Sequence, residues 1–248
     1  MKDKIRFVHA SDIHLGANPY AISERFTDMG KVFSEVVNYT LETNADFLVL
    51  AGDLFDKKNI NAKTLTLCLD IIKPLKEKNI PIYVTEGNHD QRTYVNNYSW
   101  LELLNDNGYI NLLNPVKNDI NDDYDLVLYE ERKDDEGNIK KYGSYIITDD
   151  AIIYGLGFPG IMPDKYLDCM TSKYIDNEGK VVISMLHSGI DHFVTEGMGG
   201  LREGFIDDLV NKSDYIALGH IHNRYENYDK KYFNPGSLEN TSVPQEVY

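Results

Sequence analysis

Apolar positions along the chain follow two alternating rhythms. Ile5 to Ala10 reads as a short strand, and Phe26, Met29, Phe33, Val36 and Val37 then recur at helical spacing. Phe47 to Ala51 is apolar throughout, the pattern of a strand covered on both faces. Ala62 to Asn79 returns to helical spacing through Leu65, Cys68, Leu69, Ile72 and Leu75, with Pro74 expected to kink or shorten the helix. Ile80 to Thr85 predicts a third strand and Tyr98 to Leu104 an amphipathic helix, so this half reads as right-handed βαβ units. Further strands are predicted at Ala151 to Leu156, Val181 to Leu186, Tyr215 to Leu218 and Tyr232 to Phe233, with a helix from Gly204 to Asn211. Lys117 to Asp150 breaks the alternation: eleven acids, five bases and turn signals at Asp122-Asp123 and Glu136-Gly137-Asn138 predict an acidic, solvated hairpin excursion.

Composition narrows the class. With 248 residues, 42% of them hydrophobic, the chain is expected to form a single domain over 1–248; disordered and collagen-like classes are excluded. The longest apolar stretches fall well short of the roughly 20 residues of a membrane span, so no membrane association is expected. The first residues are charged and lack the pattern of a signal peptide, which makes the expected compartment cytoplasmic, with nucleoid association if the source is bacterial. Cys68 and Cys169 are too few and too far apart for a disulfide framework or a thiolate site, and both read as small buried hydrophobes. The net charge of -15, from 40 acids against 25 bases, repels phosphate backbones unless metal ions or a partner offset it.

The residue types that bind metals change this picture. Asp12 and His14 follow the first predicted strand, Gly52-Asp53 and Asp56 the second, and Gly87-Asn88-His89-Asp90 the third. His187 follows a later strand, and Gly219-His220-Ile221-His222 another. Five of the seven histidines lie in these clusters; His9 is expected to be packed on its strand, and His192 falls in a polar loop. In an open α/β sheet the C-terminal strand ends share one edge, so residues distant in sequence converge there. Asp, Asn and His without Cys form a hard to borderline donor set, suited to manganese, iron or zinc. A two-metal site follows, with one carboxylate bridging ions about 3.5–4 Å apart. Gly52, Gly87 and Gly219 are expected to let the backbone turn sharply at the strand ends.

The ordered set D-x-H, G-D-x-x-D, G-N-H-D, lone His and G-H-x-H resembles the calcineurin-like metallophosphoesterases from Ile5 to about Ser237. Within them, Ser11 to Gly16, Ala51 to Asp56, the Tyr98 to Leu104 helix, Ala217 to His222 and Asn234-Pro235-Gly236-Ser237 are similar to the SbcD and Mre-eleven DNA-repair nucleases. The resemblance implies an α/β sandwich of two β-sheets flanked by helices, with a di-metal site at the C-terminal strand ends. It also implies that Asp12, His14 and His222 hold one ion, that Asn88, His187 and His220 hold the other, and that Asp53 bridges them. His89 would contact phosphate and assist the leaving oxygen while a metal-bridging hydroxide attacks phosphorus. The implied metal is Mn2+, with Fe or Zn also compatible.

Asp56 stands where archaeal and eukaryotic members carry His and bacterial ones carry Asp. Its carboxylate is expected either to pair with His89 and hold that ring cationic, or to cap the loop. Asp90 is expected to orient its loop, and the Asn234 to Ser237 segment to form a turn. Lys57, Lys58, Arg92, Arg202 and Arg224 are candidate phosphate contacts, and the glycine-rich stretch Glu196 to Gly204 reads as a mobile loop. Family members continue into a cap domain and a tail that binds a Rad-fifty/SbcC-type coiled-coil ATPase; here Tyr248 follows the turn by eleven residues, so both are expected to be absent. The family's dimer contact would fall on Ala62 to Asn79 and Tyr98 to Leu104, implying a homodimer, although core packing explains these helices equally.

Three readings follow. The first is a manganese-dependent DNA nuclease of double-strand break repair or recombination, a 3′ to 5′ exonuclease and endonuclease at single-stranded or hairpin DNA. The second is a phosphatase or phosphodiesterase acting on a small or protein-bound phosphoester, which the charge favours. The third is a non-catalytic scaffold, which has no need of seven ligands and a free acid.

Overall fold

The computed structural model describes residues 4–19, 22–93, 95, 97–118, 123–133, 137–160, 163–194 and 200–239. Strands β1 (Phe7–Ala10), β2 (Phe47–Ala51), β3 (Ile82–Thr85) and β4 (Asn111–Leu112) form a parallel sheet in that order. Helices α1 (Ser23–Glu42), α2 (Ala62–Glu77) and α3 (Trp100–Asp106) connect them. Two short hairpins follow, β5 (Val116–Asn118) with β6 (Asp123–Asp125) and β7 (Glu130–Lys133) with β8 (Ile139–Tyr142). The second sheet is built from β9 (Tyr145–Ile147), β10 (Ala151–Gly155), β11 (Val181–Leu186), β12 (Tyr215–Leu218), β13 (Tyr225–Asn227) and β14 (Tyr232–Asn234). Its spatial order is β13-β14-β12-β11-β10-β9. Helices α4 (Pro163–Ser172) and α5 (Asp207–Lys212) cover it, and both outer strands run antiparallel to their neighbours.

The apolar run of β2 explains how the two sheets meet. All five of its residues are buried. Leu48 and Leu50 pack with Met29, Phe33, Ile72 and Leu75 of α1 and α2. Phe47, Val49 and Ala51 point the other way, into a second core with Ile153, Ile183, Met185 and Ala217. A strand whose two faces both need apolar partners settles between a helical layer and a sheet, and each such aliphatic side chain contributes about 1.5–3 kcal/mol on burial. β11 repeats the arrangement, with Val182 and Leu186 turned toward the helices on the outer face of its sheet.

Several boundaries differ from the sequence reading for local reasons. Asn61 caps α2 by accepting from Thr64 N–H at 2.9 Å, and Pro74 lies in its last turn, so the helix ends three residues later without a break. α3 starts at Trp100, two residues later than its apolar pattern suggested, because Ser99 and Glu102 form a reciprocal capping box there. The acidic excursion is two hairpins rather than one, and β9 belongs to the second sheet. Its turn residues Asp122 and Glu136 lie outside the described residues. The predicted Gly204 to Asn211 helix divides into a 3-10 turn at Glu203–Phe205 and α5. Cys68 is buried as expected, but Cys169 is only partly so, and its thiol donates to Asp123. Among the described residues no helix is long and apolar enough to cross a membrane.

His9 is packed between the sheets. Its Nε2–H donates to the Leu218 carbonyl at 3.2 Å, and Nδ1 accepts from the Tyr215 hydroxyl at 3.1 Å. Burial lowers its pKa from the ordinary 6.5 to about 4, against the opposing Leu218 hydrogen bond. The unfolded chain therefore takes up a proton that the folded chain refuses. This contribution to stability is complete above pH 6.5 and is lost as pH falls toward about 4. His9→Phe is expected to reduce the acid slope of the urea-unfolding free energy across that window. It should also cost about 1–3 kcal/mol at neutral pH, where the Leu218 carbonyl loses its partner. A slope identical to wild type would refute the assignment.

Candidate metal centre

The strands that carry the candidate ligands are parallel, so their C-terminal ends open onto one edge of the sandwich. β1, β2 and β3 deliver Asp12, Asp53 and Asn88 from one sheet, and β11 and β12 deliver His187 and His220 from the other. The convergence expected of one open sheet is thus achieved by two.

The loops beyond these strands stay paired. Asp12 N–H donates to the Gly52 carbonyl at 3.1 Å, His14 N–H to Asp53 at 3.0 Å, and Leu15 N–H to Leu54 at 2.9 Å. This pairing holds the backbone in conformations that side chains ordinarily avoid: φ is 53° at Asp12, 50° at His14, 53° at Asp53 and 80° at His220. Each such residue costs about 1–3 kcal/mol, which persists only where surrounding bonds over-determine the loop. Of the three glycines, only Gly52 has positive φ. Gly87 and Gly219 are required by proximity instead: a Cβ on Gly87 would stand 2.1 Å from Asp53 Oδ1, and one on Gly219 would stand 2.2 Å from the Ala51 carbonyl.

All seven predicted ligands gather in two adjoining groups. In the first, His14 Nε2 lies 3.1 Å from His222 Nε2, 4.0 Å from Asp12 Oδ1 and 3.9 Å from Asp53 Oδ2, and His222 Nε2 is 3.8 Å from Asp12 Oδ1. In the second, Asn88 Oδ1 lies 3.2 Å from His187 Nε2 and 3.1 Å from His220 Nδ1. Asp53 Oδ2 is 3.2 Å from His187 Nε2, which puts Asp53 in contact with both groups. The Asp12 carboxylate also accepts the His220 N–H, at 3.1 and 3.0 Å to its two oxygens.

The donor chemistry fits a pair of divalent cations. Asp12 is 1% exposed and Asp53 2%, so two carboxylates face each other away from water. Burial raises the pKa of Asp12, while His187 opposes the rise. For Asp53 burial acts in the same direction but is outweighed by His187, the His89 N–H and His14, which hold it well below the usual carboxylate range. Burial, the largest influence on each, keeps His14 and His220 neutral by lowering both to about 4, the form that presents a lone pair. His187 Nδ1–H donates to the Ala51 carbonyl at 2.8 Å, which turns Nε2 toward the carboxylates. Burial there is overcome chiefly by Asp53, raising His187 to about 9, so a proton serves the carboxylates where a cation fits.

Around the ligands, the structure redistributes the predicted roles. His89 N–H donates to Asp53 Oδ1 at 2.9 Å, and its Nε2 lies 4.0 Å from Asp53 Oδ2 on a side chain 41% exposed. The His89 contact expected from the Asp56 carboxylate is made by the Asp56 main-chain carbonyl, which accepts from Nδ1–H at 2.5 Å. The reason is the Leu15 to Asp56 loop pairing, which turns the carboxylate to 3.7 Å from His14 Nδ1. That nitrogen is buried without a hydrogen-bond partner, the Asp56 carboxylate lying just beyond hydrogen-bond reach of it. Asp90 does orient its loop, accepting from Leu54, Phe55 and Gly87 N–H at 3.3, 3.1 and 3.1 Å.

The candidate phosphate contacts are mostly committed elsewhere. Arg92 pairs with Glu102, Arg202 with Asp164 and Arg224 with Glu226, while Lys57 lies 3.9 Å from Asp56. Lys58 donates to Gln91 at 3.2 Å. His192 pairs with Glu203, and residues 196–199 of the glycine-rich stretch lie outside the described residues. Phe158 escaped the sequence reading: its ring lies 5.4 Å from that of His220 and 6.1 Å from that of His187, forming an apolar wall. Nothing in its local pattern distinguishes it from a core aromatic.

Gly87→Ala is expected to displace Asp53, lowering stability by about 1–3 kcal/mol and abolishing tight divalent-ion binding. Urea unfolding beside calorimetric titration with Mn2+ checks both; ion binding at wild-type affinity would contradict the packing argument.

Comparison with known proteins agrees with this geometry. The calcineurin-like phosphoesterase family model matches residues 5–224. A DNA double-strand break repair protein Mre11 from Archaeoglobus fulgidus is 28% identical over 246 residues, covering 95% of this chain and 50% of the relative. The protein of the same name from Methanocaldococcus jannaschii is 29% identical over 245 residues, covering 98% of this chain and 57% of the relative. The chain thus spans about half the length of the curated relatives it matches. Among solved structures, the calcineurin-like phosphoesterase YfkN from Bacillus subtilis superposes with a TM-score of 0.51 at 17% identity, covering 94% of this chain and 81% of that one. The two-sheet architecture, the ligand cluster and the family match together establish that the chain belongs to the calcineurin-like phosphoesterases.

Proposed function

We propose that the chain is the nuclease core of a DNA double-strand break repair enzyme, a Mn2+-dependent phosphodiesterase with 3′ to 5′ exonuclease activity and endonuclease activity on single-stranded or hairpin DNA. The observation that carries the hydrolytic reading is the buried ligand cluster with a half-exposed His89 beside it. The DNA substrate rests on similarity to the Mre11 proteins over nearly the whole chain. Two divalent ions would be held by Asp12, His14 and His222 and by Asn88, His187 and His220, with Asp53 between the two groups, and would supply Lewis acidity toward a phosphodiester.

The protein's own groups do the rest. The Asp56 carbonyl holds the His89 ring through Nδ1–H, the Asp53 carboxylate holds the His89 main-chain N–H, and Nε2 carries a proton to the leaving oxygen. The Asp56 carboxylate faces the His14 ring, and Phe158 shields the inner histidines from water.

A homodimer through α2 and α3, and a Rad-fifty/SbcC-type coiled-coil ATPase as partner, belong to the same proposal. Val95 and Tyr98, 91% and 42% exposed before α3, favour the dimer contact. The commitment of Arg92, Arg202 and Arg224 to carboxylates favours the second reading, a phosphodiesterase of small esters, since a small substrate needs no basic tract.

With Mn2+, end-labelled duplex DNA is expected to be shortened from its 3′ ends. His89→Ala should lower the rate by about a hundredfold or more while binding the same number of ions. Cleavage of bis-p-nitrophenyl phosphate with DNA left intact, alone and with the ATPase added, would transfer the assignment to the second reading. Val95→Glu is expected to shift sedimentation from dimer to monomer, and a wild-type monomer at all concentrations would remove the dimer from the proposal.

A further inference from the structure

We infer that Asn234 and the turn it begins form a clamp that sets the position of His222, and so the affinity of one ion of the pair. The inference rests on the two-ion reading of the site. Asn234 is the last residue of β14, which runs parallel to β12, so its end reaches the same edge as the ligand loops. Its side chain, 1% exposed, spends both amide hydrogens on one loop: Nδ2 donates to the Ile221 carbonyl at 2.7 Å and to the Asn223 carbonyl at 2.9 Å. The carbonyl between them, that of His222, accepts from Ser237 N–H at 3.1 Å. Three successive carbonyls, with the ligand in the middle, are therefore gripped from one four-residue turn.

Two further features show what the clamp is for. Asn234 Oδ1 is buried without a hydrogen-bond partner, so the residue is useful for its two donors alone. Gly236, at φ +78°, lets the turn close on the loop: a Cβ there would stand 2.5 Å from the His222 carbonyl oxygen and 2.9 Å from Arg224 N.

The two histidines of the loop are held differently. His220 is anchored through its own N–H to the Asp12 carboxylate. His222 lies two residues beyond that anchor, its side chain is 39% exposed, and its main chain is fixed from the Asn234 side. Metal–ligand distances hold within about 0.2 Å, so a small pivot of the His222 backbone is enough to withdraw Nε2 from the Asp12 and His14 group. The Asn88, His187 and His220 group has anchors of its own, the His220 N–H on Asp12 and the His187 Nδ1–H on the Ala51 carbonyl. Asn234 is thus a positioning residue that acts on one half of the site.

Asn234→Asp replaces both donors with oxygens facing two carbonyls, and Gly236→Ala pushes the His222 carbonyl without removing a donor. The test is calorimetric titration of the purified chain with Mn2+, read beside its electron paramagnetic resonance spectrum and its near-ultraviolet circular dichroism. Wild type should take up two ions and give an exchange-coupled spectrum. Each variant should keep one ion, bind the second about tenfold to a hundredfold more weakly and show the spectrum of isolated manganese. The retained ion and an unchanged dichroism spectrum report an intact fold. Two ions at wild-type affinity in both variants would overturn the clamp and leave the two-ion reading standing. Equal loss of both ions in Gly236→Ala with native dichroism would overturn the one-sided action. Uptake of a single ion by wild type would overturn the two-ion reading, and the clamp with it.

Discussion

Two buried carboxylates facing each other are the constraint on which the rest of this structure depends. Donor atoms of Asp12, Asp53 and His187 lie within 4.8 Å of one another, and at an effective dielectric constant of about 20 two like charges at that distance repel by about 3 kcal/mol. Positive charge must therefore be concentrated where they meet. The chain answers with imidazole nitrogens directed inward, main-chain N–H groups of His89 and His220 on the carboxylate oxygens, and a proton on His187 in the absence of ions. Divalent cations would satisfy the same demand more fully, so the donor set of the cluster fits metal ions.

That demand explains the architecture around it. A parallel sheet alone presents its strand ends in a row; two parallel-stranded sheets packed through Val49, Ala51, Ile183, Met185 and Ala217 present two rows face to face. Asp53 from the first row then reaches His187 from the second. The positive-φ conformations at Asp12, His14 and Asp53 are sustained because the loops after β1 and β2 remain hydrogen-bonded, with Asp90 gathering three more N–H groups beneath them, and His220 is tied by its own N–H to Asp12. Rigid strands and cross-tied loops leave the half-exposed His89 as the ring most open to a substrate among those around Asp53.

The surface electrostatics pull in another direction. A net charge of -15 and guanidinium groups already paired with Glu102, Asp164 and Glu226 leave the surroundings of the site weakly attractive to a polyanion. Ions held in the cluster would supply an attraction to phosphate locally, which the long-range field of the chain opposes. Holding divalent ions and attracting a long polyanion are separable properties here, and the donor set among the described residues fits the first.

Much of the site was legible in the amino-acid order because ligand types and strand rhythm are local signals. Asp12, His14, Asp53, Asn88, His187, His220 and His222 each follow an apolar run short enough to be a strand, and parallel strands bring such positions to one edge. What the order of residues does not encode locally is direction and partner. It could not tell whether Asp56 offers His89 its carboxylate or its carbonyl, since that depends on how Asp56 N–H pairs with Leu15 across the loop. It made Asn234 to Ser237 a turn without the loop that turn grips, and it left Phe158 among ordinary aromatics. The acidic excursion read as a single hairpin because its turn signals do not show that β5 pairs with β6, β7 with β8, and β9 with the strand that follows it, β10. Residue identity and period determined which groups this protein brings to its edge; only long-range packing and hydrogen bonding decided which atom of each group faces which neighbour.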